Sequence, residues 1–357
     1  MNSHRIAVVP GDGTGPEVVA EAVKVIENAA RLFGFQIELT RFDIGGERYL
    51  RTGETLSGEV LEQLRESDAI LFGAVGHPEV TPGILEQEIL LRLRRELDQY
   101  INLRPVKLHP GVRSPISEVT PEDVDFVVVR ENSEGLYVGK GSFTARDSPF
   151  EVAVQESVNT RFGVERCIRY AFELAMTRPR RHLTMCGKTN VLEYAWDLWA
   201  RVFSQVAAEF PEVETAYAHV DAACLWMVED PSRFDVIVTD NMFGDILTDL
   251  AAAIQGGLGI ASGGNISPTG VSMFEPIGGT APGFEGTAKI NPLAAIGAGA
   301  MMLRELGETT AADAIEASVA TVAGQLPSLR AGEMGATTNE VGDRVVELVT
   351  RSVEVSA

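Results

Sequence analysis

The sequence holds only three cysteines, Cys167, Cys186 and Cys224, and none belongs to a CxxC pair. An odd number without metal-ligand spacing excludes a disulfide framework and a zinc site, and a reducing cytoplasm is the expected location. Long apolar runs are missing as well. The longest, Leu293–Leu303, is too short to cross a bilayer and is rich in Ala and Gly. The opening segment MNSHRIAVVPG has no basic region ahead of an apolar stretch, so no secretory signal is expected. Basic residues are outnumbered: 30 Lys and Arg face 51 Asp and Glu, a formal net charge of −21. That balance argues against a nucleic-acid partner. In such a field an anionic ligand needs a few placed cations. There is no repeat, low-complexity tract or long linker.

What is present reads as α/β. A chain of 357 residues exceeds one typical hydrophobic core, so two domains are expected. Arg5–Val9 reads as a short buried strand, followed by the glycine turn Gly11–Gly15 and a helix from Glu17 to about Phe33. Ala69–Phe72, Phe126–Val129 and Val236–Thr239 are further apolar strands, and their alternation with helices predicts mainly parallel pairing. Asn291 and Pro292 supply an N-cap and an N1 proline ahead of a buried helix over Leu293–Leu303.

Three groups of residues carry candidate chemistry. Asp245 and Asp249 stand four apart on one predicted helix face, and Asp221 follows a Val as a strand-end ligand would. Carboxylate oxygens suit Mg²⁺ or Mn²⁺, but spacing alone fits a solvated acidic face better. Arg94 lies on a helical pattern, Arg104 in Asn102-Leu103-Arg104-Pro105, and Arg130 ends an apolar strand. Guanidinium forks bind carboxylates, although each arginine taken alone reads more readily as a structural ion pair. Lys188 and Tyr137 are candidate base and acid. The turn Gly11–Gly15 lacks GxGxxG order and is no P-loop; it is a tight turn or a close approach to a phosphate.

The order of these pieces resembles the β-decarboxylating dehydrogenase family, which acts on 3-isopropylmalate, isocitrate, homoisocitrate, tartrate or D-malate. The residues that carry the resemblance are GDGTGPE (11–17), LLRLRRELDQYINLRP (90–105), VVVRENSEGLY (127–137), KTNVL (188–192), HVDAA (219–223), VTDNMFGDILTDLAAA (238–253) and FEPIGGTAPGFEGTAKINP (274–292). They span nearly the whole chain. The resemblance implies two open α/β domains unlike the Rossmann dinucleotide fold: 1–101 with 255–357 on the cofactor side, and 102–254. It implies that Arg94, Arg104 and Arg130 clamp malate carboxylates and that Asp245 and Asp249 hold the metal. Asp221 and Lys188 would come from the other subunit of a homodimer, with Lys188 as base and Tyr137 as the acid that protonates C3. A non-catalytic regulatory subunit is the reading from another class, and retention of all these residues argues against it.

The family resemblance also frames specificity. Leu90, Leu91 and Val191, with Asn190 beside them, would form an apolar wall that favours an alkyl substituent on C3 over a carboxylate. That points to 3-isopropylmalate, converted to 2-oxoisocaproate in leucine biosynthesis. Another 3-substituted malate, D-malate, tartrate or an isocitrate-like acid, in a specialised pathway, is the alternative. Glu275, Gly279, Thr280, Ala281, Pro282, Gly283, Phe284 and Asn291 would meet the cofactor. Here the chain departs from the family: Gly278 stands where His is usual, and Gly283 where NAD users carry Asp and NADP users Lys. The loop Gly278–Thr287 holds no cation and Glu285 would repel a 2′-phosphate, so NAD is expected while NADP stays open.

Overall fold

The apolar strand Ser3–Gly11 (β1) opens an alternation of strands and helices that continues along the chain in a computed structural model describing residues 2–356. It leads into α1 (Gly15–Phe33), β2 (Gln36–Arg41), α2 (Gly46–Thr52), α3 (Gly58–Arg65) and β3 (Ala69–Ala74). A π-helical turn, Glu86–Leu90, runs into α4 (Leu91–Glu96), and β4 (Ile101–Lys107) and β5 (Asp125–Glu131) follow. Next come β6 (Gly141–Thr144), β7 (Val152–Gln155), α5 (Arg161–Thr177), β8 (His182–Gly187), α6 (Glu193–Ala207) and β9 (Glu214–His219). Then α7 (Val220–Glu229), β10 (Val236–Thr239) and α8 (Asn241–Ile254) precede β11 (Ser262–Ile266) and β12 (Ser272–Pro276). The last helices are α9 (Leu293–Glu305), α10 (Thr309–Gln325) and α11 (Thr338–Ser356). The chain is mixed α/β, as its patterning predicts.

Two units emerge: Met1–Gln99, Pro105–Val124 and Ala252–Ala357 form the first, Tyr100–Arg104 and Asp125–Ala251 the second. The stretch 105–124, placed from sequence in the second domain, clusters with the first. Its ties explain this: Lys107 N–H donates to Gln255 Oε1 at 2.9 Å, and Gly111 lies so close to Gly324 that a Cβ there would come within 2.8 Å of the Gly324 carbonyl oxygen.

In the first unit the strand order is β2-β1-β3-β12-β11, parallel except for β11–β12. All six residues of β3 are buried, as expected of a parallel strand covered on both faces. Helix α1 buries Val18, Val19, Ala22, Val25, Ile26 and Ala29 and packs on α9 and α11. Burying each Val or Ile contributes about 1.5–3 kcal/mol. Helix α9 begins one residue later than the cap pattern predicts. Pro292 has no N–H, so the first donor is Leu293 N–H, which reaches Asn291 Oδ1 at 3.0 Å.

In the second unit the order is β4-β5-β10-β8-β9, and β5, β10, β8 and β9 are mutually parallel. Arg130 pairs in register with Thr239, and Gly187 with His219, so the C-terminal ends of these strands lie along one edge. Lys188, Asp221 and helix α8 all follow directly from those ends. Parallel sheets bind ligands at that edge because the loops and helix starts there can vary without disturbing the ladder. Trp196 and Trp199 are fully buried beneath it, and Trp196 stacks on Phe243 of α8 with ring centres 5.7 Å apart. The antiparallel hairpin β6–β7 is exposed along both strands.

Candidate active site

Arg130 lies at the end of β5, and only 3% of its side chain is exposed. Its Nε and Nη2 donate to Asn241 Oδ1 at 3.1 and 2.7 Å, and Nη1 donates to Asp245 Oδ1. Gly244 makes room for this: a Cβ there would lie 2.4 Å from Arg130 Cγ. Tyr137, on a short 3₁₀ turn beyond β5, donates from its hydroxyl to Asp245 Oδ2 at 2.8 Å. Arg104 is buried on β4, and its Nε donates to Asn102 Oδ1 at 2.5 Å. Asn102 and Arg104 share one strand face because they are two residues apart.

Helix α8 therefore presents Asn241, Asp245 and Asp249 at four-residue steps on one face. Burial works to raise the Asp245 carboxyl, but Arg130, the Tyr137 hydroxyl and Arg104 outweigh it and hold it below its ordinary value. Asp249 is raised, first by burial and then by the neighbouring Asp245 charge, against the pull of Arg104 and Arg130. A carboxylate pair with one member destabilised by its neighbour is a donor set that a hard divalent cation fits.

Lys188 and Asp221 form a separate pair: Lys188 Nζ donates to Asp221 Oδ1 at 2.8 Å, and that hydrogen bond is the main cause lowering the Asp221 carboxyl. Asp221 sits in the first turn of α7, one step beyond the strand end predicted for it. Among the described residues, no group of three or more His, Cys, Asp or Glu is gathered to hold a metal, so a single copy does not bring Asp221 together with Asp245 and Asp249. Asn190 and Val191 are exposed in the loop after Lys188.

The first unit carries the other expected residues. Arg94 is buried on α4, its Nη2 3.8 Å from Glu275 Oε1, which also accepts from Asn265 at 2.9 Å. Leu90 and Leu91 are half-buried where the π turn meets α4, with Leu90 against the core. A cavity of about 990 Å³ opens beside the loop after β12. Of the expected cofactor residues, Gly279, Ala281 and Asn291 line it, as does Gly278; Glu275, Thr280, Pro282, Gly283 and Phe284 do not. Glu285 turns inward on its own loop and accepts from Gly283 N–H at 2.8 Å.

Sequence reasoning missed several partners. Asn241 was visible as the residue one helical turn before Asp245. Arg113 and Arg330 also line the cavity, but they come from segments distant in sequence and no local pattern marks them.

The sequence profile of the isocitrate/isopropylmalate dehydrogenase family matches residues 5–345. The chain belongs to this family. It is 54% identical to the 3-isopropylmalate dehydrogenase of Corynebacterium kroppenstedtii, over 93% of this chain and 97% of that one. The 3-isopropylmalate dehydrogenase of Nocardia farcinica is 52% identical, over 97% and 100%. Among solved structures, isocitrate dehydrogenase from Methylococcus capsulatus superimposes with a TM-score of 0.87 at 36% identity, covering 97% of this chain and 99% of that one. As a family member the chain has the mixed α/β architecture expected of it. Among the described residues no helix is long and apolar enough to cross a membrane.

Proposed function

We propose that the chain oxidatively decarboxylates 3-isopropylmalate to 2-oxoisocaproate, reducing NAD⁺ with Mg²⁺ or Mn²⁺ bound, in leucine biosynthesis in the cytoplasm. The observation that carries the reading is the α8 face, where Asp245 and Asp249 stand beside Arg130, Arg104 and Tyr137. The relatives at 52–54% identity supply the substrate class.

In this reading Arg94, Arg104 and Arg130 bind and orient the acid's carboxylates, which the net charge of −21 would otherwise repel. Asp245, Asp249 and Asp221 would hold the divalent cation, which would supply Lewis-acid polarisation of the substrate, and the dinucleotide would supply the hydride acceptor. Lys188 takes the 2-hydroxyl proton, and Tyr137 delivers a proton to C3 after CO₂ departs. Leu90, Leu91 and Val191 receive the isopropyl group. Gly279, Ala281 and Asn291 hold the dinucleotide at the cavity.

Two copies complete the site, with Lys188 and Asp221 of one meeting Asp245 and Asp249 of the other. Apolar residues left exposed on the helices that carry these groups support this pairing: Leu225 and Val228 on α7, and Ile246 on α8. The absence of a cation in the loop Gly278–Thr287 supports NAD, while Arg113 and Arg330 are the cations that line the cavity and would be available to a 2′-phosphate.

The test is Mg²⁺-dependent reduction of NAD⁺ and of NADP⁺ with 3-isopropylmalate, isocitrate, D-malate, tartrate and 3-methylmalate. Isocitrate turnover well above that of 3-isopropylmalate would sink the apolar-pocket argument. The departures at Gly278 and Gly283 favour one second reading, a sibling enzyme for another 3-substituted malate, which the same panel reveals.

A further inference from the structure

The turn Gly11–Gly15 and Glu17 behind it have no task in that chemistry, yet they hold the loop beside the cavity. Five residues of that loop lie in the left-handed region: Gly279 (φ +62°), Ala281 (+44°), Gly283 (+89°), Gly286 (+66°) and Ala288 (+54°). Ala281 and Ala288 carry a Cβ that disfavours this conformation, so the loop needs outside support to keep its shape.

The start of α1 supplies support at both ends, and at the far end Thr338 N–H also donates to the Ala288 carbonyl at 2.8 Å. At the near end, the Thr14 N–H and hydroxyl both donate to the Thr280 carbonyl, at 3.1 and 3.2 Å. At the far end, the Glu17 carboxylate spans two amides: Oε1 accepts from Gly286 N–H at 2.5 Å and Oε2 from Ala288 N–H at 3.2 Å. Within the loop, Phe284 N–H donates to the Ala281 carbonyl and Thr287 N–H to the Phe284 carbonyl, each at 3.2 Å, while the Thr287 hydroxyl reaches the Phe284 carbonyl at 2.7 Å and Glu285 accepts from Gly283 N–H at 2.8 Å. Of the two α1 anchors, Thr14 and Glu17, Glu17 is the charged one, and charge-assisted hydrogen bonds are the stronger kind.

We propose that Glu17 is a positioning residue for the dinucleotide: its carboxylate pins Gly286 and Ala288 so that Gly279 and Ala281 keep the cavity wall in its binding shape. The inference rests on reading that cavity as the nicotinamide cofactor site. Glu17 touches no ligand in this scheme and acts through the loop alone. Its loss lowers the fraction of molecules whose loop is correctly shaped, and apparent affinity falls by that fraction.

The experiment compares the wild-type homodimer with Glu17→Gln, and with Glu27→Gln, an exposed change of equal charge on the same helix. NAD⁺ binding is measured by calorimetry without the hydroxy acid. Glu17→Gln should bind about tenfold more weakly, the scale of one lost hydrogen bond to a charged group. Glu27→Gln should match the wild type. A second readout needs no turnover: trypsin should cut after the exposed Lys289 faster in cofactor-free Glu17→Gln than in the wild type, and saturating NAD⁺ should restore protection. In steady state the cofactor KM should rise with the Kd while kcat at saturation and the acid's KM move much less.

Equal NAD⁺ affinity and equal cleavage in Glu17→Gln and wild type would overturn the proposal. Parallel losses in kcat and in both KM values would also overturn it, because they mark a general structural role. Failure of the wild type to bind either NAD⁺ or NADP⁺ is a different result: it removes the cofactor reading on which the proposal stands.

Discussion

Asp240 offers a prediction whose size follows from its surroundings. It caps α8, the helix that carries Asp245 and Asp249, by accepting from Phe243 N–H at 2.8 Å. Burial raises its carboxyl from the ordinary 3.8 to about 6, against the lowering effects of the Phe243 N–H and of Arg130. The buried thiols Cys167 and Cys186 also face it and feel its charge. A carboxyl raised on folding binds more protons in the native state than in the unfolded one between those two values. Stability from this group is therefore fully present below pH 3.8 and is lost as pH rises through about 6. The interval, at 1.36 kcal/mol per pH unit, is about 3 kcal/mol, an upper bound for a partly accessible group. Asp240→Asn keeps an acceptor for Phe243 N–H and removes the titration. Urea unfolding should find the variant more stable than wild type by up to about 3 kcal/mol at pH 7.5 and by only about 1 kcal/mol at pH 4.5, where most of the interval is still to be crossed. A difference that is the same at both pH values, or a variant weaker at pH 7.5, would refute the reasoning. A gain would mean that the protein carries a costly carboxyl at the head of its functional helix.

Other outcomes test neighbouring claims. Asp245→Asn should abolish turnover and Mn²⁺ binding, followed by electron paramagnetic resonance, while circular dichroism stays native because 47% of that side chain is exposed; retained metal binding would count against Asp245 as a ligand. Tyr137→Phe should lower kcat by about 100-fold or more, the scale of a positioned general acid, with the acid's affinity within a few-fold. An unchanged kcat would remove Tyr137 from the mechanism. Gly278→His should fold with stability within about 0.5 kcal/mol, since the nearest atom to a Cβ there is Leu258 Cβ at 3.7 Å, and should bind NAD⁺ more tightly by calorimetry. Gly283→Asp should instead cost about 1 kcal/mol in a thermal melt, because φ there is +89°; equal stability would contradict the strain argument.

Much of this arrangement was legible in the sequence because it rests on local periodicity. The strand Val236–Thr239 was read with its observed ends, and the four-residue step from Asp245 to Asp249 did place both on one helix face. Proline chemistry moved the start of α9 by one residue. What stayed hidden depends on contacts between distant segments. The join of 105–124 to the first unit hangs on Gln255 and on the close approach of Gly111 to Gly324. The grip of Glu17 on residues 286 and 288 has no local signature, and the left-handed φ at Gly283 favours a glycine there for backbone reasons that the sequence does not mark.

The π turn at Glu86–Leu90 has an evolutionary consequence. Such a turn holds one residue more than the α-helical turn it replaces, so deleting one residue within it would leave a continuous α-helix running into Arg94. Everything on the N-terminal side would swing by about 100° around the helix axis, the angle one residue subtends, while Arg94 stayed in place. Leu90 sits at the hinge of that rotation. In the proposed reading, a lineage could thereby change the residues ahead of Leu90 through a single codon loss while leaving Arg94 where it stands.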